Sequence, residues 1–182
     1  PGIGAEVINQ LGGTAVNMPP GEIMPALQQG VIDATEWVGP WVDKISGLHK
    51  IANYYYGPGI HEPGTANELI MSAEKWNSLP NNLKEIIKIA CHSIYIESLS
   101  EFLYYNSLSL EELKNKYNVK VLSFNSEIMK KMFEISRNVV EDFSKLGEIH
   151  NEIYLSWRNS LIKFNNYQKF SDYGYIKERI NS

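Results

Sequence analysis

Paired glycines and prolines cut the start of the chain into short pieces, and that punctuation constrains the fold more than any other feature. AEVINQL (5–11) runs into Gly12-Gly13, TAVNM (14–18) into Pro19-Pro20, GEIMPALQQ into Gly30 and VIDATEWV into Gly39-Pro40. Glycine after an amphipathic run is a helix C-cap, and a short β-branched run closed by proline is a strand end. The order is therefore helix, strand, helix, strand within about forty residues, joined by short connections, which is the rhythm of an α/β fold with a parallel component.

Further along, Trp41, Val42, Ile45, Leu48 and Ile51 fall on one helical face, and Tyr54-Tyr55-Tyr56 form a strand with alternate faces used. NELIMS (67–72) is strand-like, and Ser72 is placed to cap a short turn before Pro80. Apolar positions from Leu83 to Leu113 predict long helical material between Asn82 and Lys116, bent or interrupted near Ser107–Ser109; VKVLSF is the last strand. From Ser126, the positions Ile128, Met132, Ile135, Val139, Phe143 and Leu146 step by three and four, and Ile149, Ile153, Trp157, Leu161 and Phe164 continue beyond Gly147. Such a stripe normally packs on its own domain; the alternative is a second subunit.

Composition excludes several classes. A net charge of −4, with lysines spread along the chain, gives no footprint for a polyanion, so no nucleic-acid partner is expected. The 43% of hydrophobic residues suffice for a core, but no apolar stretch reaches the roughly 20 residues a membrane span needs. The single cysteine, Cys91, lies in a helical run where a thiol is expected to fill a core. The N-terminus has no signal-peptide pattern, yet it opens on Pro-Gly without methionine, so the chain is expected to be a piece of a longer protein.

GIGAEV is no dinucleotide fingerprint, because Val7 stands where the third glycine belongs, and HEPGT is no zinc-protease helix, because Pro63 and Gly64 interrupt it. There is no recognisable nucleophile. What remains is a concentration of acids and aromatics: Asp33, Glu36, Asp43 and Glu62 interleaved with Trp37, Trp41, His49, three tyrosines and His61. Glu36 and Glu62 are flanked by Gly/Pro turns, at strand ends or loops where α/β folds hold ligands. Two carboxylates in one pocket raise each other's pKa unless a cation sits between them, and carbonyls freed at a Gly-Pro break can add ligands. The plainer readings are an exposed Glu36 and Glu62, tryptophans used as core, and His49 and His61 as surface or hydrogen-bonded residues. The pair could also serve as general acid and base of a hydrolase. Residue types and spacing leave function open at this point.

The segment from PGIGAEV to HEPG resembles the DctP-type solute-binding proteins of TRAP transporters, and among them the α-keto acid and lactate receptors. The helix ending in GG, the ALQQGVIDA element, TEWVGP, GLHK, the tyrosine run, HEPG and WNSLP occur in family order. The resemblance implies an α/β, bilobed, type II-like periplasmic binding protein, represented here by its C-terminal portion with long C-terminal helices. Residues 1–33 would belong to the second lobe, 34–64 would cross to the first lobe and carry the site, 65–125 would return to the second lobe, and 126–182 would form helices that include a dimerisation arm. It further implies a sodium or calcium ion held by the Glu36 carboxylate, the Trp37 carbonyl and Glu62, with a glutamine and a ligand-gripping arginine upstream of Pro1, and with Trp37 also lining the ligand. The ligand would be a small 2-oxo or 2-hydroxy monocarboxylate, and the partners TRAP membrane permease subunits and a second copy of the chain. A periplasmic location, with a signal peptide upstream, is implied as well; a sensor of the same fold is the remaining alternative.

Overall fold

The helices begin and end where the punctuation places them. The computed structural model describes residues 2–59, 64 and 67–182. Helix α1 (Ile3–Gln10) closes with two backbone bonds: the Gly12 N–H donates to Asn9 O and the Gly13 N–H to Ile8 O, each at 3.0 Å. This is a Schellman closure, and Gly12 takes the left-handed φ of 91° that a side chain would resist. Helix α2 (Pro20–Gln29) starts on a proline whose missing N–H costs nothing in a first turn, and it ends the same way at Gly30, with φ 70° and the Val31 N–H on Ala26 O at 2.9 Å.

Two compact units are formed, Pro1–Val16 with Ser126–Ser182, and Asn17–Asn125. The second unit holds α2, α3 (Pro40–Ile45), a 3-10 turn (Leu48–Lys50), β1 (Tyr54–Gly57), α4 (Ala73–Ser78), α5 (Asn81–Asn115) and β2 (Lys120–Ser123). Strands β1 and β2 pair in parallel with Tyr55 opposite Val121. Parallel neighbours need a long crossover, which α4 and α5 supply. Ser72 caps α4 as expected, its Oγ accepting the Lys75 N–H at 3.2 Å. Gly47, at φ 80°, splits the expected helix over 41–51 into α3 and the 3-10 turn.

Helix α5 corrects one expectation. It runs uninterrupted for 35 residues, through Ser107–Ser109, and so spans about 52 Å. The Ser107 hydroxyl bonds back to the Tyr104 carbonyl at 2.7 Å, which satisfies it without opening the helix, and Ser109 is buried. Only the C-terminal end of α5 is buried; Ile86, Ile94 and Leu103 are exposed, and so is Cys91, against the expectation of a core thiol.

Three expected strands are also corrected. Residues 14–18, 31–37 and 67–72 form no ladder, and Val16, Val31, Leu69 and Ile70 are exposed. Strand propensity produces a strand only where a neighbouring edge accepts the backbone hydrogen bonds, and among the described residues the one ladder is β1–β2.

The first unit is α1 with α6 (Ser126–Ser144), α7 (Glu148–Phe170) and α8 (Asp172–Asn181). Val7 of α1 packs with Ile135 and Val139 of α6, and Leu11 covers them. The C-terminal stripe thus divides. Its α6 part supplies buried Met132, Ile135 and Val139, whereas α7 has no buried residue and leaves Ile149, Ile153, Trp157, Leu161 and Phe164 exposed. No described helix is long and apolar enough to cross a membrane.

Candidate cation and ligand site

The turn that carries Glu36 and Trp37 is held from behind by α3 and α5. Trp41, in the first turn of α3, stacks on Tyr105 at 4.7 Å between ring centroids and meets Phe102 edge-on at 5.2 Å. Its backbone N–H, an orphan of the helix start, donates to Asn106 Oδ1 at 2.9 Å. A Cβ at Gly39 would lie 3.3 Å from that same oxygen, so the glycine allows the turn to approach α5. Farther along, Lys44 Nζ reaches Glu112 Oε2 at 3.1 Å. Trp41 is thus half-buried, packed on aromatic side chains of α5.

Asp43 is the buried charge of this region. Its Oδ1 accepts the N–H groups of Val38 and Gly39 at 3.1 and 3.0 Å, and its Oδ2 accepts the Tyr55 hydroxyl at 2.7 Å. Three donors compensate the desolvation of one carboxylate. The Tyr55 pKa is driven up, first by burial, then by the hydrogen bond to Asp43 and by the negative charges of Asp43 and Glu36, so the phenol keeps its proton and stays a donor.

Glu36 is exposed, and Thr35 Oγ1 donates to its carbonyl at 3.1 Å. Trp37 is half-buried. Its indole Nε1 is buried without a hydrogen-bond partner, and among the described residues no donor reaches its carbonyl. A carbonyl that accepts from no described residue, next to a carboxylate, is a donor set suited to a hard cation, and a buried indole N–H needs an acceptor. Glu62 and His61 lie outside the described residues. Among the described residues no three His, Cys, Asp or Glu side chains converge; the expected set draws on one carbonyl and on Glu62 instead. His49 packs on Tyr117 at 4.3 Å, and burial, then Lys50 and Lys44, lower its pKa; its Nδ1 has no partner among the described residues, so it is packed but not hydrogen-bonded there.

Asp43, Tyr55 and Asn106 are the supporting residues that sequence reasoning did not assign. Asp43 carried a signal, since an acid shortly after a Gly-Pro helix start can reach back to the preceding N–H groups. Asn106 carried none, because its partner is 65 positions away.

The chain belongs to the bacterial extracellular solute-binding proteins of family 7, the DctP family, which it matches over residues 2–146. Its fold, mostly helical with a small sheet, is that of TRAP periplasmic solute-binding proteins. It superimposes on one from Colwellia psychrerythraea with bound calcium and pyruvate at a TM-score of 0.87 and 33% identity, over 98% of this chain and 54% of that one. It superimposes likewise on one from Pseudoalteromonas atlantica T6c with bound sodium and pyruvate, at 0.85 and 30% identity, over 97% and 54%. In sequence it is 34% identical over 158 residues to a monocarboxylate 2-oxoacid-binding periplasmic protein of Nostoc sp., a match covering 87% of this chain and 43% of that protein. The chain thus spans about half the length of these relatives.

Proposed function

We propose that this chain is part of a periplasmic TRAP-transporter receptor that binds a small 2-oxo or 2-hydroxy monocarboxylate together with sodium or calcium and delivers it to the membrane permease, without catalysing a reaction. The observation that carries the reading is the Glu36–Trp37 turn, where a carboxylate adjoins a carbonyl and a buried indole N–H that have no hydrogen-bond partner among the described residues, in a chain similar to pyruvate-bound receptors. Glu36, the Trp37 carbonyl and Glu62 would hold the cation, and the Trp37 indole would face the organic acid. The cation supplies the positive charge that lets an anion settle beside acidic side chains. Two glutamates and a ligand carboxylate carry three negative charges; a cation and an arginine from the rest of the receptor bring that sum close to neutral, which a buried site tolerates. The lobe boundaries at 33, 64 and 125 belong to this proposal. So does the cleft between the lobes, half of which the rest of the receptor would provide.

Thermal-shift titration of the complete receptor tests the reading. At ligand concentrations 100 times Kd, pyruvate or lactate should add about 2.7 kcal/mol of stability, and only when sodium or calcium is present. No shift with any 2-oxo or 2-hydroxy acid, or a shift indifferent to removal of both cations, would refute it.

The exposed apolar face of α7 supports a second element of the proposal, pairing of two receptors through this helix. Light scattering at micromolar concentration should give twice the monomer mass, and a Trp157→Glu variant should give the monomer; a wild-type monomer ends this part.

A further inference from the structure

We propose that Asp43 is a positioning residue for the cation site, aiming the Trp37 carbonyl through the peptide unit that joins Trp37 to Val38. This rests on the cation reading above. A trans peptide is planar, so its C=O and N–H point in opposite directions. The Trp37 carbonyl and the Val38 N–H belong to one such plane; the only cis bond among the described residues is Gly57-Pro58. Asp43 Oδ1 holds that N–H at 3.1 Å and the Gly39 N–H at 3.0 Å, so the Trp37 carbonyl is turned directly away from α3. The carboxylate also polarises the amide it holds, which makes the carbonyl oxygen a stronger ligand.

The holder is itself fixed. Asp43 sits in α3, whose first turn is tied to α5 by Trp41 N–H on Asn106 Oδ1, and its second oxygen is held by Tyr55 in β1 at 2.7 Å. Both attachments come from regular elements and not from loops. Rigid outer supports of this kind fix the direction of an inner ligand, and losing one typically weakens metal binding by roughly ten- to a hundredfold.

The test is calcium titration of the complete receptor, by calorimetry, at a temperature where circular dichroism shows every variant folded. Asp43→Ala should weaken calcium binding about tenfold. Its pyruvate affinity should fall at limiting calcium and return to the wild-type value at saturating calcium, a recovery that general loosening of the fold would not give. Asp43→Asn keeps an oxygen for the two N–H groups and should stay within about threefold of wild type, the small loss reflecting weaker polarisation. If Asp43→Ala does not fold, Tyr55→Phe, which frees one side of the carboxylate, should still weaken calcium at least about twofold with the same recovery. Unchanged calcium affinity in the foldable variant, or an Asn variant as weak as the Ala variant, overturns the inference. Glu36→Gln is the control. If it leaves calcium binding intact, the cation assignment itself fails; if it abolishes binding while Asp43→Ala does not, only the positioning role falls.

Discussion

Glu36→Gln in the complete receptor should lower calcium affinity by about a hundredfold, equivalent to roughly 2.7 kcal/mol. Glutamine keeps the shape and one oxygen of the side chain but removes the charge, and a hard cation is held by charged oxygens far more firmly than by neutral ones. The effect on the organic acid should be indirect. Pyruvate binding should weaken in proportion to cation occupancy, and a large excess of calcium should recover most of it. Glu36 is exposed, and the Gln variant keeps its shape, so the melting temperature without ligand should stay close to wild type. An unchanged affinity with unchanged cation dependence would remove Glu36 from the site.

Trp41→Ala should act on stability instead. Its indole stacks on Tyr105 and meets Phe102 edge-on, an aromatic tie between α3 and α5. Truncation of a half-buried, aromatically packed tryptophan should cost about 2 kcal/mol, read as a lower urea midpoint at unchanged slope. The backbone N–H that Asn106 holds remains in the variant, so calcium affinity of the folded receptor should drop by less than about tenfold. A stability loss under about 1 kcal/mol would show that the aromatic cluster is not what fastens α3 to α5.

Glu36 and Trp41 illustrate what the sequence could and could not disclose. Gly12, Gly30 and Ser72 announced helix ends because capping is local chemistry, decided within four or five residues. The tyrosine strand and the α6 stripe were legible from alternation and from three-four stepping. Residues 14–18, 31–37 and 67–72 were not, since they have the composition of strands but no described edge to pair with, and pairing is a property of neighbours. The exposure of Cys91 escaped for a similar reason: the apolar spacing of α5 records a helix without recording what covers it. At the site, Glu36 and Trp37 stood out by type and by the Gly-Pro break. Asp43 was counted among the acids without a role, because its role depends on Tyr55 arriving from β1, twelve positions on in sequence.

The parallel register of Tyr55 with Val121 bears on how the molecule is made. A ribosome delivers β1 long before its pairing partner, and the intervening segment must be gathered before the two backbones can meet, which raises contact order and slows closure. The phenol that braces Asp43 rides on that late-completing ladder. The bracing of Asp43 by Tyr55 is therefore completed late in the folding of this unit, after synthesis has passed residue 123.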